Sequence, residues 1–443
     1  MGIKERWNSI LFKPVSIAPL VTFRMLFGAI MFISIVRFWS NGWIESQFIE
    51  PLIHFKYFGF YWVADLPDTA YYVMFGIMAI SSLGIAFGAL YRISAVLFFL
   101  SFTYIELIDV TYYLNHYYFV SLVSLIMVFL PANASRSVDQ RFGAIKSRST
   151  VSAWTIDILK FQLVLVYVFA GIAKLNTDWL IHALPLAIWL PAQDQLPILG
   201  TIFKWEATPY VFSWAGALYD LFVPFFLLVA RTRALAYAAV IAFHLMTWWL
   251  FQIGMFPFIM IGATLVFFSA AFHENWQQRL FGAQAQSFGN THVPANQLVS
   301  LSIALLVVFQ LAFPFRHLAY DGNPFWHEQG YRFGWRVMLM EKAGYAQFSV
   351  ENEKGNRIEV QNSDFLTHAQ EKMMSTQPDL MIQYAQFLKA HYEKAGVVTS
   401  GVYANVHVTF NGRGSRPYVD SSVNLADQVD SWRPKTWILP FES

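Results

Sequence analysis

The stretch Phe161-Gln162-Leu163-Val164-Leu165-Val166-Tyr167-Val168-Phe169-Ala170-Gly171-Ile172-Ala173-Lys174-Leu175-Asn176-Thr177-Asp178-Trp179 decides the class of this chain. Together with the apolar residues before it, it makes a helix long enough to cross about 30 Å of hydrocarbon. It stops at a lysine followed by a polar turn. Eight further stretches read the same way, at 17–38, 70–90, 92–110, 116–131, 209–230, 234–251, 254–272 and 297–314, alongside this one at 153–174. The fourth is short, and the seventh and eighth nearly abut. Lipid offers no partner to backbone N–H and C=O groups, so the spans are expected to be helices. The expected fold is an all-α membrane bundle of about nine transmembrane helices. Composition agrees: 13% of the 443 residues are charged, 56% hydrophobic and 18% aromatic. The mean hydropathy is +0.42. These values argue against disorder, a coiled coil and an ordinary cytosolic enzyme. The 30 Lys+Arg and 28 Asp+Glu are scattered, which is no nucleic-acid signature. With no cysteine, disulfides, thiolate metal sites and cysteine nucleophiles are excluded.

Lys4, Arg6, Lys13, Arg92, the loop from Ala132 to Ser149, Arg231, Arg233 and Arg279 fall on one side of a nine-span topology. The short loops opposite hold little beyond Lys56 and Lys204. The positive-inside rule then puts the N-terminus in the cytoplasm and the C-terminus outside. The first apolar run lacks a small-residue cleavage site, so a retained first helix is expected. After Pro314 the charge content becomes ordinary. Residues 1–314 read as a polytopic membrane domain, and 315–443 as a small extracytoplasmic α+β domain. There, Lys354-Gly355-Asn356 and Asn411-Gly412 predict hairpin turns. Residues 364–395 read as largely helical, with Pro378 opening a second helix.

Ionisable residues inside a membrane are costly and suggest function. Arg24 is expected to pair with a carboxylate such as Asp109, Asp157 or Asp220. Glu106 and Asp109 read as partners for such a cation or as cavity wall, and Lys160 as a snorkelling residue. Lys174 ends its span at the outer boundary. Apolar surroundings there would favour a neutral amine able to act as a general base, whereas the structural alternative is an interfacial lysine beside an aromatic belt. Asn115, His116 and His244 fall toward the same side, with Trp248 and Trp249 one turn beyond His244. Each histidine alone reads more often as a packing residue, but their common depth suggests one site. No metal-ligand spacing occurs. Some of the aromatic and methionine side chains suit a slot for a planar, lipid-soluble ring.

At these residues the sequence resembles the vitamin K-dependent gamma-glutamyl carboxylases and their bacterial relatives, which share a horizontally transferred transmembrane domain. The matching strings include Phe23-Arg24-Met25-Leu26-Phe27-Gly28, Tyr91-Arg92-Ile93-Ser94, Asn115-His116-Tyr117-Tyr118 and Ala170-Gly171-Ile172-Ala173-Lys174-Leu175 with Asp178-Trp179. Phe243-His244-Leu245-Met246, Ile253-Gly254-Met255-Phe256, Tyr331-Arg332-Phe333-Gly334-Trp335 and Thr436-Trp437-Ile438-Leu439-Pro440 continue the series in family order.

The resemblance implies a catalytic lysine at Lys174 and a mechanistic histidine at His116 with Asn115 beside it. It also places Tyr167 and Met338 near the quinone. His244, Trp248 and Trp335 are pocket candidates without an assigned role. The implied reaction oxygenates reduced vitamin K, of the phylloquinol or menaquinol type, to its 2,3-epoxide. It couples this to carboxylation of a glutamate γ-carbon in a peptide or protein, with O2 and CO2 as co-substrates and no metal. A γ C–H of glutamate is too weakly acidic for Lys or His to abstract directly. Oxidation of the hydroquinone supplies the stronger base, and a dry membrane pocket protects it. The expected location is a bacterial inner membrane, with lipid and quinone as partners and no nucleic acid. Three departures stand out. Ala173 replaces the first lysine of a family pair, the disulfide of the animal enzymes is impossible, and those enzymes continue past the equivalent of Phe441. Two alternatives stay open: a quinone epoxidase without protein carboxylation, and a non-catalytic membrane protein that binds an isoprenoid lipid.

Overall fold

Apolar runs that cannot hydrogen-bond to lipid close their backbone bonds internally, and the computed structural model accordingly describes a mainly helical chain. It describes residues 2–197, 199–251, 253–283 and 295–441. The principal helices of the apolar part are α1 (Ala18–Ser40), α2 (Asp68–Phe87), α3 (Tyr91–Ile108), α4 (Asn115–Phe129) and α5 (Trp154–Ala173). They continue as α6 (Ala207–Leu228), α7 (Arg233–Phe251), α8 (Phe256–Thr264), α9 (Ala270–Phe281) and α10 (Gln297–Ala312). Among the described residues seven helices are long and apolar enough to cross a membrane, or eight if α8 and α9 count as one broken span. The expected fourth span is the 15-residue α4, too short to be counted with them.

The expected span 254–272 does not continue as one helix. The chain bends by 115° between Phe267 and Ala270. Ser269 is extended there, and its Oγ accepts the N–H of Phe272 to start α9. The α9 side chains Glu274, Gln277, Gln278 and Arg279 cannot be left in lipid. Buried Gln277 instead donates to the Ala18 carbonyl and to Thr22 Oγ1 at the head of α1.

Arg24 corrects a second expectation. It is fully buried, yet its partners are carbonyls and not a carboxylate. Nη1 donates to Ile85 O at 2.8 Å and Ala86 O at 2.6 Å, and Nη2 to Arg136 O at 2.8 Å. The first two belong to the end of α2, where unsatisfied carbonyls and the helix dipole gather negative charge. Gly88, in the left-handed conformation with φ 64°, ends α2 and leaves room for the guanidinium. At this same end β1 (Pro14–Ser16) pairs with β2 (Thr150–Ser152).

The C-terminal part holds β3 (Lys342–Asn352), β4 (Arg357–Glu359), β5 (Thr399–Phe410) and β6 (Arg413–Pro417) in the antiparallel order β4-β3-β5-β6. Both expected turns are present: Gly355 has φ 78°, and Asn411 and Gly412 have φ 49° and 73°. The helices α11 (His368–Met374) and α12 (Pro378–Lys394) accompany the sheet. Phe348 and Tyr384 meet edge-on across the α12–sheet interface. This core includes Phe55, Val110, Ala173 and Trp179, so the sheet part is packed directly onto one end of the bundle. Gln370 reaches Asp109 at 3.2 Å, and Gln383 accepts from Lys56 N at 2.7 Å. The helix ends at that side include the first residue of α4, Asn115, and the C-cap of α5, Lys174.

Candidate active site

Tyr167 and Lys174 are seven residues apart, two helical turns, and so share a face of α5 extended through its cap. Gly171 lies between them and opposes Leu221 of α6, where a Cβ would come within 2.8 Å of the Leu221 nitrogen. This close approach brings the next-door Asp220 to the lysine. Lys174 Nζ donates to Asp220 Oδ2 at 2.7 Å and to Ala170 O at 3.2 Å. Both charged side chains are 7% exposed. Nζ also lies 5.2 Å from the Trp179 ring centre. Trp179 is fixed by its Nε1–H, which donates to Ser213 O at 2.8 Å. Lys174 was expected without an assigned partner and Asp220 as a partner for Arg24. The structure joins Lys174 to Asp220.

Tyr167 Oη and His244 Nε2 are 2.9 Å apart, both buried. The Tyr167 ring meets Tyr219, the neighbour of Asp220, edge-on at 5.9 Å. His244 meets Phe256 at 5.9 Å, and Phe256 stacks on His116 at 5.2 Å. Three separately expected residues, Tyr167, His244 and His116, therefore stand in one series of contacts that begins beside the lysine–aspartate pair.

That series ends at a cavity of about 690 Å³ between the bundle and the C-terminal part. His116, Asn115, Phe256 and Met338 line it, and Lys174 does not. Asn115 holds the wall in place. Its Nδ2 donates to Arg336 O at 2.9 Å and its Oδ1 accepts from Tyr113 Oη at 3.0 Å. The wall segment is strained: Phe333, Trp335 and Met338 have φ of 58°, 58° and 54°. Left-handed backbone costs a residue with a Cβ about 1–2 kcal/mol, and packing must hold it. Tyr113 Oη accepts the Phe333 N–H at 2.6 Å, and the buried Trp335 stacks on Tyr118 at 4.9 Å. Trp335 thus supports the wall from behind and does not line the cavity. Trp248 is elsewhere: its indole is 44% exposed on α7 and packs against Phe258. Trp248 is only about 40° further round α7 than His244, but it sits one turn along the helix and meets Phe258 where His244 meets Phe256.

Two family models cover most of the chain. That of the HTTM domain matches residues 12–276, and that of the vitamin K-dependent gamma-carboxylase lumenal domain matches residues 295–443. The chain belongs to the vitamin K-dependent gamma-carboxylase family. No solved structure matches it. The family domains and the apolar helices make it a membrane protein and an enzyme of the gamma-glutamyl carboxylase kind. The family implies reduced vitamin K with O2 and CO2, and glutamate-containing protein substrates. In this chain the match to the lumenal domain begins ahead of α10, so it includes the last apolar helix as well as the sheet. Among the described residues no group of three or more His, Asp or Glu has the arrangement of a metal site.

Sequence reasoning missed the pairing of Asp220 and the polar side chains that reach the cavity from 328–336. Asp220 is the one acidic residue of α6, a signal that was visible. The family string at 331–335 pointed to that segment but not to the polar side chains it brings to the cavity, because its approach to α4 depends on a left-handed loop in the chain's final third.

Proposed function

We propose that this chain is an integral membrane vitamin K-dependent gamma-glutamyl carboxylase that couples epoxidation of reduced vitamin K to carboxylation of peptide glutamate. The single observation that carries this reading is the buried Lys174–Asp220 pair, at the head of the contact series leading to the cavity. The residues present fit a reduced quinone. The cavity volume lies within the usual range of about 300–1,000 Å³ for ligand sites, and its wall combines Met338 and Phe256 with the His116 ring. When bound, the reduced quinone supplies, with O2, a base stronger than any side chain. Lys174 and Asp220 handle the initiating proton. Passage of a proton from Nζ to Oδ2 along their 2.7 Å hydrogen bond neutralises both groups and leaves an amine lone pair for general-base work. Tyr167 and His244 orient each other beside this pair. His116 lines the cavity, and hydrogen bonds from its ring would serve to stabilise developing negative charge there. Asn115 is a positioning residue for the cavity wall.

In this reading residues 1–314 form the membrane catalytic part and 315–443 an extracytoplasmic part, in a bacterial inner membrane with the N-terminus in the cytoplasm. The positive side chains at the opposite end of the bundle support that orientation. The test uses detergent-purified protein with a reduced short-chain vitamin K, a glutamate peptide and labelled bicarbonate, measuring epoxide and labelled peptide together. Both products are expected from the wild type and neither from Lys174→Ala. Epoxide without peptide label would favour a quinone epoxidase. Neither product from folded, quinone-binding protein would favour a lipid-binding role.

A further inference from the structure

The cavity wall carries more positive charge than its neighbours neutralise. Four charged side chains besides its histidine matter here. Arg332 is closed off by Asp379 and Gln377, each at 2.5 Å, and Glu328 by Lys342 at 2.8 Å. Arg336 and Arg37 differ. Arg336 is 7% exposed, its Nε is buried without a hydrogen-bond partner, and among the described residues no carboxylate lies within ion-pair distance. Its guanidinium lies over the Phe325 ring at 5.3 Å, a contact that leaves the N–H fork unused. Arg37, reaching the same cavity from α1, lies over Trp43 at 4.7 Å and also has no ion-pair partner among the described residues. A buried guanidinium is ordinarily paired, because its desolvation is otherwise uncompensated. The rest of the wall is largely apolar, with Met338, Met340, Met373 and Phe251.

We propose that Arg336 and Arg37 form a carboxylate-binding subsite of this cavity that recognises the side-chain carboxylate of the substrate glutamate. Identifying the carboxylate as glutamate's rests on the carboxylase reading; the anion site itself does not. Arginine's planar fork matches a carboxylate through two parallel hydrogen bonds. Two cations also suit the second carboxylate that carboxylation adds, so the product side chain fits the same charges. Asn115, which holds the Arg336 carbonyl, sets this subsite beside His116.

Binding without turnover tests this. Three otherwise identical peptides, acetylated and amidated at their ends, carry a single Gln, Glu or gamma-carboxyglutamate, and calorimetry measures their affinities for the purified full chain. Wild type is expected to prefer Glu over Gln by about tenfold or more, as charge-assisted hydrogen bonds require, and to bind the dicarboxylate at least as well as Glu. Arg336→Gln and, independently, Arg37→Gln should each bring the Glu and Gln affinities within about threefold, while Arg336→Lys should keep part of the preference. Should Arg336→Gln fail to fold, Arg336→Lys and Arg37→Gln still decide. Equal binding of Glu and Gln peptides by wild type, or an unchanged preference in folded Arg336→Gln and Arg37→Gln, overturns the subsite. Selective binding that depends on these arginines, with no labelled carboxylation ever detected, upholds the subsite and removes the carboxylase reading. Carboxylation with a peptide KM unmoved by the arginine variants does the reverse.

Discussion

Removing either member of the Lys174–Asp220 pair should destabilise the protein far more than removing both. Each side chain is 7% exposed, so water and salt screen the pair weakly. Lys174→Met leaves a buried carboxylate facing apolar atoms, and Asp220→Leu leaves a buried ammonium. Breaking a buried pair in this way costs about 3–5 kcal/mol, whereas replacing both partners by apolar groups of similar volume is close to neutral. A loss of 3 kcal/mol corresponds to roughly 160-fold in the folding equilibrium, at 1.36 kcal/mol per factor of ten. The double variant should therefore recover at least about 3 kcal/mol relative to the sum of the singles. Reversible unfolding in mixed micelles, followed by tryptophan fluorescence, measures all four corners of the cycle. Epoxide formation measured on the same samples separates structure from chemistry, since the double variant should regain stability and remain inactive. Losses that simply add would refute the buried-pair reasoning and make each group independently solvated. Recovery of epoxide formation in the double variant would refute the proton-handling role of Lys174.

Gly88→Ala should disturb the carbonyl cage around Arg24. A Cβ there would lie 2.5 Å from Ser137 Cβ and 2.7 Å from Arg24 Nη1, at φ 64°. The left-handed cost of about 1–2 kcal/mol then adds to about 1–3 kcal/mol for displaced hydrogen bonds. Gly355→Ala, at φ 78° with nothing within 4 Å of the added carbon, should show the backbone cost alone in the same unfolding assay. The Asp178 contact should weaken in acid. Burial pushes its carboxyl up, but hydrogen bonds from Arg413 and Asn411 outweigh this and hold it below the ordinary 3.8. A carboxyl so lowered stabilises the fold above about pH 4 and loses that effect as pH falls through its folded-state value. Hydrogen exchange in β5 and β6 should be unchanged from pH 7 to 5 once corrected for intrinsic rates. It should rise below pH 4, and Asp178→Asn should raise it already at pH 7.

Several parts of this protein were legible residue by residue. The turns at Lys354-Gly355-Asn356 and Asn411-Gly412 were readable because those residue types accept positive φ at little cost, and Pro378 because it fits the first turn of a helix. The apolar runs were readable as helices because lipid leaves the backbone no other partner. The eighth run misled because hydropathy averages over a window. It does not register that Ser269 caps a new helix or that Gln277 finds partners on α1. Arg24 misled for a related reason: a helix end supplies negative charge that no acidic letter in the sequence announces.

The site divides along the same line. The lysine, the histidines and the asparagine could be picked out because polar residues are costly in an apolar run and invite explanation. Which of them meet is a long-range matter. Gly171 lets α6 approach α5 and gives Lys174 its carboxylate. Three left-handed residues between Phe333 and Met338 carry a distant loop across α4 and give His116 its cavity. By itself, then, the sequence determined that the chain is helical, lipid-embedded and supplied with unusual polar groups, because these follow from local composition and backbone hydrogen bonding. Only the tertiary structure decided the partners of those groups, because pairing, burial and cavity shape depend on contacts between residues far apart in the chain.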